Sequence, residues 1–456
     1  MTRPFIFRLF GFVLMIILAS GCQQVDPTGQ FQSVQSLDQS RGGNELIWKM
    51  DEKDKQKIQA KIDQIMLDGI TRDEASAIAV LNNGRLQSAY ERLGLAAADI
   101  TEAGLLRNPT LDGLIAFPIK TGGSSVSLIG VLSDLWLMPK RKELAKTRST
   151  MVELKVASMV LRTSQSSMMA WDDLVSARQR LKLERKLLSI HEQIEKRLQI
   201  LFNHGLVDTM EVETAKMRYL DQKIMVRNSQ ATLETATIVF DQLLSYKGAA
   251  QKVNVSELVV LGKNDLLDLS NSLETAMKMR LDLMSEKSAI DLSAKRLDLE
   301  KALTWNVVQL GVGYDGDFRS INNMNGNTLG PVFSIEIPVF NQNQAGIAAR
   351  QYKLRNAIKR YAVLQFQVKK EVISNFSKFQ AIKSNLKTLE TDYTLARKKE
   401  LEYLKKWNMK MQLSYMRVLD ASAISLKLDM KILAQKQDYN RGRLMLEQVM
   451  LGGFFQ

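Results

Sequence analysis

Two histidines, one cysteine and 49 carboxylates are the side chains from which this 456-residue chain could assemble a reaction centre. His191 and His204 stand 13 positions apart. On a continuous helix that is about 1300° of turn, so they face roughly opposite ways and make no metal pair. The lone cysteine, Cys22, can form neither an internal disulfide nor a two-cysteine metal site. No Walker loop, hydrolase elbow or zinc-ligand cluster is spelled out, and nothing gathers two carboxylates into an apolar cleft. The 22 methionines offer thioethers to soft metals, with Met409, Met411 and Met416 grouped. Methionine is more often adaptable filler between helices. These residues predict no enzyme, no cofactor and no bound metal.

Cys22 has a different chemistry open to it. It follows Arg3, Arg8, the apolar run Leu9–Leu18 and the small residues Ala19, Ser20 and Gly21, a secretory signal in order and size. The stretch Leu18-Ala19-Ser20-Gly21-Cys22 resembles the bacterial lipobox, with Ala19 where leucine is more usual. Removal of residues 1–21 and acylation, palmitate included, would make Cys22 the first residue of a lipoprotein. Gln23 in place of aspartate favours the outer membrane by the bacterial sorting rule. Each buried acyl methylene contributes about 0.8 kcal/mol, so several chains hold firmly. Beyond Gly21 no stretch is apolar for long enough to cross a bilayer as a helix. The formal charge of +14 falls by two, to +12, with the loss of Arg3 and Arg8. The remaining basic residues are spread along the chain as a solvated face, with no aromatic-interleaved cluster, so nucleic acid is not an expected partner.

The elements that must position any site follow from the prolines. Pro109, Pro118, Pro139, Pro331 and Pro338 bound short segments, whereas 140–330 and 339–456 contain none and permit very long helices. Val372, Phe379, Leu386 and Tyr393 recur every seven residues, with Ile382, Leu389, Ala396 and Tyr403 three positions from them, which predicts a sustained heptad seam. Leu187, Ile190, Ile194, Leu198 and Leu201 make a similar stripe. A helix over 140–203 would reach roughly 90 Å at 1.5 Å per residue. In 307–315, Val308, Leu310, Val312 and Tyr314 alternate with Gln309, Gly311, Gly313 and Asp315. Phe333, Ile335, Ile337 and Val339 alternate likewise, the signature of a transmembrane β-strand. Segments 110–119 and 126–136 form a second pair, less cleanly patterned. The fold class is therefore mainly α with a small β part. Four strands cannot satisfy every backbone group in lipid, since a closed barrel takes about eight, so the chain needs partners.

The sequence also repeats itself. Ala79-x3-Asn83-x2-Leu86 returns as Ala276-x3-Arg280-x2-Leu283 at an offset of 197, and Gly205-x6-Val212-x2-Ala215 is echoed by Met411-x6-Val418-x2-Ala421. The expected organisation is a signal peptide over 1–21, a lipidated linker over 22–70, a first repeat over 71–250 with strands at 110–119 and 126–136, a linker over 251–272, and a second repeat over 273–456 with strands at 307–315 and 332–340. Taken with the run Ala79-Val80-Leu81-Asn82-Asn83, the segment Ala96-Ala97-Ala98-Asp99 to Asn108-Pro109, and the junction Ile337-Pro338-Val339-Phe340-Asn341-Gln342-Asn343-Gln344, residues 70–450 resemble the TolC family of outer-membrane efflux channels. The junction has the form seen in its heavy-metal efflux members. The resemblance implies a homotrimer, four strands from each subunit closing a twelve-stranded barrel, and a long α-helical coiled-coil barrel across the periplasm to an adaptor and an inner-membrane pump.

In that family acidic side chains narrow the periplasmic end. The matching positions here run Met416-Arg417-Val418-Leu419-Asp420-Ala421, so Asp420 fits and Arg417 replaces an acid, with Glu211 at the equivalent place in the first repeat. A mixed ring of Glu211, Arg417 and Asp420 would hold the gate closed; ordinary exposed helix charge is the plainer reading, since surface pairs contribute little. The turns Asn203-His204-Gly205 to Asp208, and Met411-Gln412 to Ser414, would face the adaptor, Gly205 suiting a left-handed turn. Two other functions remain open at this point: a lipid-anchored periplasmic coiled-coil scaffold or adaptor without a pore, and the exit duct of a protein secretion system.

Overall fold

The computed structural model describes residues 25–115, 123–254, 257–262, 268–305, 307–317, 328–409 and 415–452. Cys22, the signal over 1–21 and the tip residues Met411, Gln412 and Ser414 lie outside them. The first four helices are α1 (Thr28–Gln39), α2 (Glu52–Ile65), α3 (Arg72–Asn82) and α4 (Gly84–Ala103). Local chemistry sets their starts. Asp51 caps α2 in a box with Asp54, and Thr71 caps α3 in a box with Glu74, each pair satisfying two otherwise orphaned N–H groups. The segment 22–70, expected as a linker, is thus folded from Thr28 onward. Its polar composition hides a stripe at four-residue spacing, Ile58, Ile62 and Met66, which is buried with Ile70, Trp171, Phe240 and Leu244.

Strands β1 (Thr110–Ile115), β2 (Gly123–Val131), β3 (Val308–Asp317) and β4 (Thr328–Ile335) form one antiparallel sheet in the order β1-β2-β3-β4. Register gives it two unlike faces. Leu111 pairs with Leu128, Leu128 with Val312, Val126 with Tyr314, Tyr314 with Leu329 and Leu310 with Phe333, placing a band of apolar side chains on one side. Asp112, Ser125, Ser127, Gly313, Asp315 and Thr328 fall mainly on the other. Gly311 is required there, because a Cβ would stand 2.2 Å from the Leu128 carbonyl oxygen. Two strands end earlier than their alternation suggests. β2 stops at Val131 because the buried Asp134 begins a helix that runs straight through Pro139, which marks no break. β4 stops at Ile335, after which the chain turns through Pro338; Pro331 is tolerated inside β4 because β4 is an edge strand.

The long helices are α5 (Asp134–Asn203), α6 (Thr209–Leu244), α7 (Leu269–Met279), α8 (Leu281–Ala302), α9 (Gln344–Thr388), α10 (Thr394–Met409) and α11 (Tyr415–Leu451), with a π-helical turn over Leu389–Tyr393 between α9 and α10. That turn corrects the predicted seam. Val372, Phe379, Leu386 and Leu389 are buried, Phe379 and Leu386 packing with Tyr439 and Leu446 of α11. One extra residue per turn then advances the helix phase by about 100°. Tyr393 and Tyr403 consequently point outward, at 52% and 63% exposed. Thr394, Arg397 and Leu404, each one position later, take the half-buried places.

The chain packs as two compact units, and each draws on both sequence repeats. One gathers the segment up to Val34 with Tyr90–Lys155 and Met284–Val363; the other gathers Gln35–Ala89, Val156–Leu283 and the chain from Leu364 onward. No helix among the described residues is long and apolar enough to cross a membrane.

Candidate functional site

In the first unit, each of the two strand pairs, β1 with β2 and β3 with β4, has a carboxylate clamping its helical connections. Asp134, at the start of α5, accepts the Arg107 backbone N–H at 2.9 Å, Arg107 Nε at 3.0 Å and Arg141 Nη2 at 3.0 Å. Burial pushes its carboxyl up, but the hydrogen bonds and charges of Arg107 and Arg141 outweigh it and hold the group below its ordinary value. In the second repeat Glu300 accepts Asn343 Nδ2 at 3.0 Å and Arg350 Nε at 2.9 Å. Asn343 sits in the left-handed region at φ 59°, where the junction motif turns into α9.

In the second unit, the repeat offset of 197 resolves into one helix break made twice. Asn83 closes α3 by donating its N–H to Ala79, and Arg280 closes α7 by donating to Ala276. Each also reaches the last turn of the final helix of its own repeat: Asn83 Nδ2 donates to the Leu243 carbonyl at 2.8 Å, and Arg280 Nη1 to the Val449 carbonyl at 3.0 Å. Arg280 is 1% exposed and pairs with Asp282 and Glu371 at 2.9 and 2.7 Å.

Glu211, Arg417 and Asp420 are all exposed. Glu211 lies in the first turn of α6, and Arg417 and Asp420 lie near the start of α11. The three helices meet there through Ile194 of α5, Ala215 of α6 and Leu419 of α11. Within one chain no ion pair among the described residues joins the three charges. The turn from α5 to α6 has the Schellman form: the Leu206 N–H donates to the Leu201 carbonyl, the Gly205 N–H to the Phe202 carbonyl, and Gly205 adopts φ 70°. Asn203 ends α5, and Asp208 caps α6 by accepting the Glu211 N–H at 2.9 Å.

Sequence reasoning passed over the charged cavity beside these residues. Asp420 lines a cavity of about 550 Å³ with His191, Arg218, Asp221, Gln222 and Lys427. His191 is 7% exposed and its Nδ1 has no hydrogen-bond partner. Burial lowers its pKa, and the charges of Lys427 and Arg218 lower it further against the opposing Asp420. Its position in the Leu187–Ile194 stripe was the available signal. No group of three His, Cys, Asp or Glu side chains among the described residues could hold a metal ion.

No family model matches the sequence, and no curated protein matches it. Solved structures do resemble its fold. It is similar to CusC, a protein described in terms of folding and transmembrane channel formation, at 17% identity and a TM-score of 0.68, over 85% of this chain and 94% of that one. It is similar to the CmeC outer membrane channel of Campylobacter jejuni at 14% identity and a TM-score of 0.66, over 85% and 89%. It is similar to the outer-membrane channel OprN at 15% identity and a TM-score of 0.66, over 90% and 92%. The chain has the fold of these outer-membrane channels, which is the fold that its resemblance to the TolC family implied.

Proposed function

We propose that the chain is one of three identical subunits of an outer-membrane exit channel in a tripartite efflux pump, tethered by lipid on Cys22. The observation that carries this is the sheet. It offers an apolar face, with Leu111 73%, Phe333 73% and Leu329 69% exposed, and it has two edges, β1 and β4, that pair with nothing among the described residues. Water rejects such a face and lipid rejects such edges, and both objections vanish when three sheets close edge to edge with the apolar band outward. Unsatisfied heptads on the helices support the same assembly. Met210, Met217, Ile224 and Ile238 of α6 stand exposed at multiples of seven, as do Tyr352, Phe366 and Ile373 of α9. A pore-less scaffold has no use for a two-faced sheet of this kind.

In this reading Glu211, Arg417 and Asp420 of three subunits would make a mixed charge ring at the gate. The turn Asn203–Asp208 and the segment holding Met411, Gln412 and Ser414 would meet the adaptor, which links the channel to an inner-membrane pump. The cargo would be small toxic compounds or metal ions. The test is reconstitution of the full chain into planar bilayers. Trimers that conduct, and conduct more when Asp420→Asn and Glu211→Gln weaken the ring, are expected. Absence of both trimers and conductance, even in those variants, would overturn the reading.

A further inference from the structure

All four helical connections leave the sheet at the same end. Thr110 of β1, Val131 of β2, Val308 of β3 and Ile335 of β4 sit there together by register. At this end the two central strands carry matching side-chain ladders. Five residues after β2, Trp136 on α5 is 38% exposed, and Lys140 lies four positions further along the helix. Three residues before β3, Trp305 ends a 3-10 turn that follows α8 and is 50% exposed, and Lys301 lies four positions earlier in the last turn of α8. Four residues are one helical turn, about 6 Å, so each ladder puts its tryptophan nearer the sheet and its lysine one turn further away. Leu135 and Lys142 repeat the order on the neighbouring line of α5, and Phe340 adds an aromatic ring that is 95% exposed.

The carboxylates close by in the chain are mostly committed. Asp134 is held by Arg107 and Arg141, Glu143 by Lys146 and Lys295, and Glu300 by Arg350. Glu102, Asp298 and Glu336 are exposed acids of this region, and none of them is ion-paired to Lys140, Lys142 or Lys301 among the described residues. Lys140, Lys142 and Lys301 are exposed and enter no ion pair among the described residues.

An apolar sheet, then indole rings, then unpaired ammonium groups is the polarity profile of a bilayer read from hydrocarbon through carbonyls to phosphates. We propose that Trp136–Lys140, Trp305–Lys301 and Lys142 form a binding site for the headgroups of anionic phospholipids at the periplasmic boundary of the barrel. The tryptophans would lie at the acyl boundary, and the lysines would hold phosphate groups. Three exposed ammonium groups at one level, none of them held in an ion pair, favour a net negative headgroup over a zwitterionic one, and a basic residue near a membrane surface is worth about fivefold in affinity. The inference rests on the membrane reading above.

The experiment reconstitutes the full lipidated chain in nanodiscs of equimolar phosphatidylcholine and phosphatidylglycerol, and counts the lipids that survive mild detergent washing by mass spectrometry. The parent should retain phosphatidylglycerol severalfold over phosphatidylcholine. The variant Lys140→Gln/Lys142→Gln/Lys301→Gln should fall to near parity while remaining folded and conducting. A control with Lys216→Gln/Lys223→Gln/Lys398→Gln should keep the preference. Parity in the parent, an undiminished preference in the first variant, or an equal loss in the control would overturn the site. Conductance without preference would sink this inference alone. Preference without trimers or conductance, even with Asp420→Asn and Glu211→Gln added, would support the site and sink the channel.

Discussion

At the scale of single residues, the second unit keeps polar side chains where an apolar core would cost less. Arg280 is the extreme case. Its guanidinium joins the break after α7 to the end of α11 through Val449 while Asp282 and Glu371 balance its charge. Replacement by methionine strands Asp282 in the interior, and a broken buried pair of this kind costs about 3–5 kcal/mol. Arg280→Met should therefore lower the unfolding temperature sharply, whereas a Lys216→Met variant on the exposed surface of α6 should leave it within a degree or two. Asp38 makes a pH-dependent contribution. It is 4% exposed, Oδ2 has no partner, and burial raises its pKa from 3.8 to about 6, with the Arg41 charge only partly opposing. The folded chain holds this proton more tightly than the unfolded chain does. The stability it confers is therefore complete below the unfolded value and is lost as pH rises through about 6. Asp38→Asn is expected to be more stable than the parent at pH 7.5 by about 1–3 kcal/mol, the two converging by about pH 4 in thermal unfolding followed by circular dichroism.

Among the elements, the π-turn at Leu389–Tyr393 sets which face of α10 meets α11. Thr394 Oγ1 donates to the freed Leu389 carbonyl at 3.0 Å, and Arg397 pairs with Asp429 in the phase that the turn creates. Deleting Thr391 should remove the insertion, swing α10 by about 100° and carry Arg397 away from Asp429. In a double-mutant cycle on thermal stability, Arg397→Ala and Asp429→Ala should couple in the parent background and be additive in the deletion. Nothing in the sequence announces this turn, since no glycine or proline marks it and the apolar Tyr393 and Tyr403 continue the heptad as though it were absent. By contrast, β3 was legible because Val308 to Tyr314 alternate strictly, and a period of two has one structural meaning. The Asn83–Arg280 equivalence was visible as spacing only, because their hydrogen bonds run to helices about 160 residues further along the chain. Arg417 and Asp420 could be singled out by the family resemblance and Glu211 by the repeat, but Arg218 and Lys427, which line the cavity with Asp420, belong to no motif.

For the molecule as a whole, the two outer edges of the sheet, unpaired among the described residues, would decide how the subunits of the proposed ring depend on one another. The close approach of β2 to Gly311 leaves no room for a side chain, so Gly311→Val should disturb the central pairing and reduce the yield of detergent-stable trimers on gel filtration. A chain damaged at an outer edge has a different fate: β1 of one subunit must meet β4 of the next, and every subunit in the proposed ring is a neighbour of both others. In the language of genetics, that makes edge lesions dominant. If intact chains and chains carrying proline within 111–114 of β1 are made in equal amounts and mix freely, only about one-eighth of trimers contain three sound copies. A cell holding one good allele and one edge-damaged allele would then behave much like a cell with none, whereas an allele that never folds would be silent beside the good one.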